Sequence, residues 1–310
     1  MPRNIIYIIN PISGPGTSAF AKAPAYKKKD LEQLIEKRTI ESGIPFRIFP
    51  SVASGDYSFL HSIIKEQKIT DIIIAGGDGT VSQVVSSLMG CSVNFGIIPC
   101  GSGNGLAYTA NIPKQPAKAL DIIFIGHSSF IDGFYINDQF ACMLCGLGFD
   151  AKVAHDFAQQ PKRGLATYVK QVVKNFFAAK TYSFKLNVND IALTLDAYFI
   201  SIANSNQFGN NFTIAPKASL SDGLLDIVIV TNQSKLSVLL QTLKQIRGKN
   251  KLQPLTAIED KKGVIYFQTD KCSISNLSEA PLHIDGDPAE TPATILVEVK
   301  KRCFRLIQPE

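Results

Sequence analysis

An α/β domain of parallel strands followed by an antiparallel β-sandwich is the fold class that the sequence predicts. Three observations predict it. Three apolar strand runs within the first 110 residues each end in a loop of glycine and serine; apolar residues after the second loop fall on one helical stripe; and past residue 125 the texture changes to short strand runs split by turn residues.

The first run, IIYIIN at 5–10, ends in Asn10-Pro11-Ile12-Ser13-Gly14. The second, DIIIAGGDGTVSQVVSSL at 71–88, joins a β-branched core, Ile72 to Ile74, to a helix whose Val81, Val84, Val85, Leu88 and Met89 recur at helical spacing. Its glycines Gly76, Gly77 and Gly79 let backbone N–H groups approach a ligand, and a helix start favours an anion. No lysine follows them as a Walker loop requires, and Ser82 stands where a dinucleotide fingerprint has its third glycine. Asp78 would repel a triphosphate unless a divalent cation lay between them, which suggests a metal-nucleotide complex such as Mg-ATP; the plainer alternative is a turn with Asp78 as a helix cap. The third run, VNFGIIPCGSGNGLAYTA at 93–110, repeats the plan through Gly101-Ser102-Gly103-Asn104-Gly105. Such loops suit the carboxyl edge of one parallel sheet.

Beyond residue 125 the strand candidates are FIDGFYI, QFACMLCGLGF, TYSFKLNVN, IALTLDAYFISIA, LLDIVIVT, GVIYFQT and TILVEVK, a sandwich pattern. Two helices interrupt them. One, from about Arg163 to Ala179, sets Leu165, Tyr168, Val169, Val172, Val173, Phe176 and Phe177 on one stripe, read as packing on the sandwich with membrane docking as the alternative. The other spans roughly Lys235 to Arg247.

A chain of 310 residues, 45% hydrophobic, is ample for two cores. No stretch approaches twenty uncharged apolar residues, and MPRNIIYIIN is not a signal peptide, so a soluble, cytoplasmic protein, peripheral at the membrane, is expected. The six cysteines fit reduced thiols; Cys142 and Cys145, read as one strand, would point to opposite faces, and the four histidines lack ligand spacing, so no zinc site is expected. A net charge of +6, with knots at Lys27-Lys28-Lys29, Lys162-Arg163 and Lys300-Lys301-Arg302, suits an anionic substrate or an anionic membrane surface, and no basic-aromatic stripe points to nucleic acid. A homodimer stays open.

Asn10-Pro11-x-Ser13-Gly14, Gly76-Gly77-Asp78-Gly79-Thr80, Gly101-Ser102-Gly103-Asn104, Ala215-Pro216-Lys217-Ala218 leading to Asp222-Gly223-Leu224-Leu225-Asp226, and Asp285-Gly286-Asp287 stand in the order found in the diacylglycerol kinase catalytic-domain family. The chain resembles that family, which includes bacterial soluble lipid kinases and the sphingosine and ceramide kinases, from residue 5 to about 290. The resemblance implies a Rossmann-like, doubly wound nucleotide domain at residues 1–128, completed by about 295–310, and a β-sandwich acceptor domain at 129–294, with the active site in the cleft between them. It implies transfer of the ATP γ-phosphate to a lipid hydroxyl, with ATP and Mg2+ required. By position, Asn10, Ser51, Gly76, Gly77, Asp78, Gly79, Thr80, Val81, Ser82, Gly101, Ser102 and Asn104 would hold the nucleotide. Asp78 would face the catalytic magnesium, and Asp285, Asp287 and Asp132 would be the acidic groups near the acceptor. Ser219, Asp222 and Leu224 would hold a structural magnesium, the first and last through backbone carbonyls.

Two departures bear on the acceptor. Gly105 replaces the acidic residue that many bacterial members carry, and Asp287 replaces a glutamate. NAD kinases share the second and third loops, and a catalytically silent lipid- or nucleotide-binding protein is the other rival reading.

Overall fold

The computed structural model describes residues 2–10, 28–160, 165–207, 213–258 and 263–310. Pro11, Ser13 and Gly14 of the first loop, Lys27, Lys162 and Arg163 lie outside them. The chain forms two compact units, residues 1–131 with 302–310, and residues 132–301.

The first unit begins with β1 (Ile5–Ile9), α1 (Lys28–Ser42), β2 (Phe46–Pro50), α2 (Leu60–Glu66), β3 (Asp71–Gly76), α3 (Asp78–Leu88), β4 (Asn94–Pro99), α4 (Gly105–Thr109) and α5 (Pro116–Ile125). Its strands are parallel in the order β2-β1-β3-β4, and Arg305 and Leu306 near the chain end add a further parallel edge against Asn94 and Phe95. Every residue of β1 and β3 is buried, which is why both read as continuous apolar runs. The α3 stripe is buried at Val81, Val84, Val85 and Leu88, while Met89 is the half-buried C-cap. At the amino edge of the sheet the buried Asp71 is held by Arg3 Nε at 2.9 Å, Thr70 Oγ1 at 2.7 Å and Asn94 Nδ2 at 3.0 Å. That ion pair belongs to the scaffold, because the glycine loops leave the opposite edge.

The chain crosses into the second unit within β5 (Ser128–Ile136). There follow β6 (Gln139–Ala141), β7 (Leu144–Gly148), α6 (Phe149–Ala158), α7 (Leu165–Ala178), β8 (Tyr182–Val188), β9 (Ile191–Ala203), β10 (Leu225–Thr231), α8 (Lys235–Ile246), β11 (Val264–Thr269), β12 (Lys271–Asn276), β13 (Leu282–Ile284), β14 (Asp287–Ala289) and β15 (Thr294–Ile307). Pairing within this unit is antiparallel, and β9 is long enough to take β8 along its first half, β7 along its second, and β10 on the other edge. Alternate β10 residues serve two cores, Ile227 and Ile229 with Phe184 and Phe267, and Val228 and Val230 with Tyr266 and Val238.

Three expectations change. The segment QFACMLCGLGF is two strands, broken at Cys142 and Met143, so the opposite-faces argument for Cys142 and Cys145 does not apply; both are buried and neither is in a disulfide. The last strand stays with the second unit through Lys301 and pairs with β12 there, so the chain returns to the first unit at Arg302 rather than near 295. Finally, among the described side chains of α7 the buried ones are polar. Its buried side chains include Gln171 and Asn175, Val173 is 52% exposed, and Asn175 Nδ2 donates to Asp156 Oδ2 on α6 at 2.9 Å. Phe176 meets Phe149 edge-on at 6.4 Å; the side chains of Leu165, Tyr168, Val169 and Phe177 lie outside the description.

Candidate active site

In the first unit the register aligns four strand ends. Ile9 stands beside Pro50 and Ala75, Ala75 beside Ile98, and Gly76 beside Pro99, so Asn10, Ser51, Gly77 and Cys100 follow at one carboxyl edge. The chain runs from β1 to β2 on one side while β3 lies on the other, which makes the gap between the β1 and β3 ends the switch point where α/β sheets take ligands. Asn10 spans that gap: its N–H donates to Ala75 O at 2.9 Å and its Nδ2 to Thr80 Oγ1 at 2.8 Å. Ser51 N–H donates to Ile9 O at 2.9 Å.

Gly76 and Gly77 lead into α3, whose N-cap, Gly77, is extended and offers no side-chain cap. The N–H groups of the first turn, Gly79 and Thr80 among them, thus have no cap from the N-cap side chain, and a helix start of this kind favours an anion. Asp78, the first residue of α3, caps the neighbouring helix instead: Oδ2 accepts from Gly105 N–H at 3.0 Å and Oδ1 from Leu106 N–H at 3.2 Å, at the start of α4. The carboxylate thus binds the second glycine loop to the first.

The two loops also touch directly. A Cβ on Gly101 would lie 2.5 Å from Gly77 Cα, and one on Gly77 would lie 3.1 Å from Gly101 Cα, so both glycines serve a backbone-to-backbone approach. Asn104, left-handed at φ 58° and buried, clasps Gly101 through both its N–H and its C=O, each at 2.8 Å. Ser102 is half-buried on this loop. Val81 and Ser82 are buried, and Val81 N–H goes to Gly77 O at 3.0 Å, so the Val81 side chain packs the core. Burial pushes the Cys100 thiol up to about 12, which leaves it a poor nucleophile.

In the second unit, Asp285 and Gly286 form the two-residue turn between β13 and β14, with φ 49° and 88°. Both positive angles are those of a type I′ hairpin, the turn that Asp-Gly favours. The Asp285 carboxylate is buried and accepts N–H bonds from Cys142, Met143 and Leu144, each at 3.0 Å. It therefore folds the break between β6 and β7. Asp287 opens β14 and is exposed. Behind the turn lies a buried pair that sequence reasoning missed: His283 Nδ1 accepts Gly286 N–H at 3.3 Å, and His283 Nε2 lies 3.5 Å from Asp150 Oδ2. That is an ion-pair distance rather than a hydrogen bond, and burial raises the Asp150 carboxyl while His283 opposes the rise. Gly146 makes room for it, since a Cβ there would fall 1.9 Å from Asp150 Oδ2. No spacing in the sequence signals this pair, because Asp150 and His283 lie on separate elements.

Asp132 is buried; its Oδ2 accepts Gly223 N–H at 2.7 Å and its N–H donates to Leu220 O at 2.6 Å. Asp222 Oδ1 accepts Leu224 N–H at 3.1 Å, which closes a turn around Gly223. Burial raises the Asp222 carboxyl, and the nearby Asp132 charge adds to the rise. Asp226, bonded by Tyr266 Oη and Gln268 Nε2, is pushed up to about 6 by burial. Among the described residues no three His, Cys, Asp or Glu side chains group as a metal site. A site of one carboxylate with the Ser219 and Leu224 carbonyls is a different donor set, all hard oxygen, and the neighbouring anionic charge fits a divalent cation there. Asp78 is a hard oxygen donor at the phosphate-loop edge, the donor type that a divalent cation takes.

Residues 4–136 match the family described as diacylglycerol kinase catalytic domain, and residues 144–308 match the YegS C-terminal NAD kinase beta sandwich-like domain. An uncharacterised protein of Synechocystis is 27% identical over 232 residues, 74% of this chain, and the chain spans about half (52%) of that relative. A probable lipid kinase YegS-like of Chromohalobacter salexigens is 25% identical over 257 residues, covering 81% of this chain and 80% of that protein. The probable lipid kinase YegS of Shigella flexneri is 25% identical over 256 residues, 80% of this chain and 81% of that protein. The crystal structure of a diacylglycerol kinase from Bacillus anthracis superposes with a TM-score of 0.70 at 20% identity, covering 99% of this chain and 97% of that one, and so shares the fold. With two family domains in order across nearly its whole length, the chain belongs to the diacylglycerol kinase catalytic-domain family.

Proposed function

We propose that the protein is a lipid kinase that transfers the γ-phosphate of ATP to a hydroxyl of a lipid of diacylglycerol or sphingoid type. The observation that carries the reading is the uncapped start of α3 at the sheet switch point, beside a carboxylate that holds both glycine loops. The α3 N–H groups would take the phosphates, and the Gly77 and Gly101 contact would keep the loops from parting as charge moves. Magnesium, when bound, supplies charge neutralisation, with Asp78 as its protein ligand. In the second unit Asp287 would accept the proton of the lipid hydroxyl as the oxygen bonds to the γ-phosphorus and the bond from that phosphorus to ADP breaks. Asp285 would set the turn that presents Asp287, and Asp132 the loop that carries Asp222.

The test is purified protein with labelled ATP, a lipid extract and, separately, NAD, with products identified by mass spectrometry. Label in a lipid, dependent on magnesium, is expected. Label in NAD would replace this reading with that of a dinucleotide kinase, and ATP binding without transfer would replace it with that of a silent binding protein.

A structural magnesium at Asp222, Ser219 and Leu224 is part of the proposal. Magnesium without ATP is expected to raise the melting temperature, by the equivalent of about 2.7 kcal/mol at a hundred times the dissociation constant, and Asp222→Asn to remove most of that gain. Equal magnesium shifts in both proteins would sink the assignment.

A further inference from the structure

Helix α8 is turned with its leucines outward. Leu236, Leu239, Leu240 and Leu243 are 68%, 46%, 52% and 38% exposed, and their spacing puts them on one stripe. The opposite side is the one that packs. Val238 joins the core of Val228, Val230 and Tyr266, and Gln245 Nε2 donates to Ile214 O at 2.7 Å. Ser234 caps the helix by accepting Ser237 N–H at 3.3 Å. The inner face thus fixes the rotation of the helix, and the leucine stripe is left without cover from the described residues of the chain.

The charges of the helix and of the segment that follows it have one sign. From residue 231 to 258 there is no Asp or Glu, while Lys235, Lys244, Arg247, Lys249 and Lys251 are all present. Lys235 and Lys244 fall on either side of the leucine stripe, and Arg247, Lys249 and Lys251 are exposed in the segment that follows. A second copy of the chain meeting this face symmetrically would bring these cations against their own copies, which disfavours self-association. An anionic lipid surface complements both features, apolar side chains entering the acyl boundary and cationic stems reaching the headgroups. Helix α7, whose Val173 is 52% exposed, serves as the comparison.

We propose that α8 is the element through which the protein lies on anionic membranes. The proposal deepens the lipid-kinase reading by naming the docking surface, and its test does not use kinase activity.

The sequence contains no tryptophan, so a single one reports its own surroundings. Leu240→Trp and Val173→Trp proteins are mixed with vesicles of phosphatidylglycerol and phosphatidylcholine, or of phosphatidylcholine alone, carrying brominated acyl chains. Emission from Leu240→Trp is expected to shift to the blue and be quenched on the anionic vesicles, with Val173→Trp unaffected. In flotation, Leu239→Gln with Leu243→Gln is expected to lower the vesicle-bound fraction by about tenfold or more at an unchanged melting temperature. Added salt should weaken binding further through the lysines. The proposal is overturned if the leucine variant floats like the parent, if Val173→Trp is the quenched reporter, or if the parent fails to float. It is also overturned if sedimentation finds a dimer that the leucine variant dissociates, which would assign the face to a second copy. In the last two cases transfer of label to detergent-dispersed lipid still tests the kinase reading on its own.

Discussion

Asp287→Asn is expected to lower kcat by roughly a hundred- to ten-thousand-fold at unchanged ATP affinity and melting temperature, whereas Asp285→Asn is expected to lose activity by losing structure. The two carboxylates are two residues apart, yet the turn separates their duties. Asp285 sits inside the hairpin turn with its oxygens on three backbone N–H groups, those of Cys142, Met143 and Leu144. Asparagine tolerates the left-handed backbone there, so the variant tests the hydrogen bonds alone. Its amide has one acceptor oxygen, and its NH2 would face a backbone N–H, so at least one buried donor loses its partner at a cost of about 1–3 kcal/mol. Asp287 is exposed at the start of β14, and its pairing with Ile284 is a backbone matter that a side-chain change leaves intact. Asp287→Glu restores the usual residue of the family and is expected to keep activity. Chemical denaturation, ATP binding and single-turnover transfer, measured on all three proteins, decide it. An Asp285→Asn protein as stable as the parent would remove the anchoring role, and wild-type turnover by Asp287→Asn would move the base elsewhere.

The sequence was legible where burial has a period. Strands β1 and β3 are buried on both faces and so read as unbroken apolar runs, and α3 declares its inner face through Val81, Val84, Val85 and Leu88. Strand β12 was missed because its buried positions, Cys272, Ile274 and Asn276, alternate with lysine and serine and include a polar residue. The three-residue strands β13 and β14 are too short for a period, and Pro288 breaks the second. The break at Cys142 and Met143 has no local signal at all, since the carboxylate that causes it stands more than a hundred residues further on, at Asp285. Periodicity finds an amphipathic helix but does not say which face is inside. Among the described side chains of α7 the buried ones are Gln171 and Asn175, and for α8 the leucines look outward. Among site residues, the glycine loops were visible from their place after strand runs and the acidic motifs through the family resemblance, but their partners were not: the contact of Gly77 with Gly101, and the Asp150 and His283 pair, arise only from tertiary packing.

Asp78→Asn is expected to abolish transfer and to destabilise the protein as well, by about 1–3 kcal/mol. A carboxylate that served only a metal would be replaced at little cost to the fold. Here both oxygens accept N–H groups at the start of α4, and an amide supplies one acceptor where two are used. The lost negative charge at that helix start removes a further small stabilisation, although α4 is short. The same architecture ranks the glycines. Gly101→Ala would place a methyl 2.5 Å from Gly77 Cα, a backbone atom that moves only with its loop, while Gly77→Ala meets Gly101 Cα at 3.1 Å and needs a shift of a few tenths of an ångström. Gly101→Ala is therefore expected to be the more damaging of the two for both melting temperature and ATP affinity, even though Gly77 is the N-cap of α3. Thermal melting of the Asp78→Asn, Gly77→Ala and Gly101→Ala proteins, with and without magnesium and ATP, separates the effects. An Asp78→Asn protein that melts with the parent and has lost only its response to Mg-ATP would assign Asp78 to the metal alone. A Gly77→Ala protein more damaged than Gly101→Ala would mean that the glycines are there for the phosphate rather than for each other.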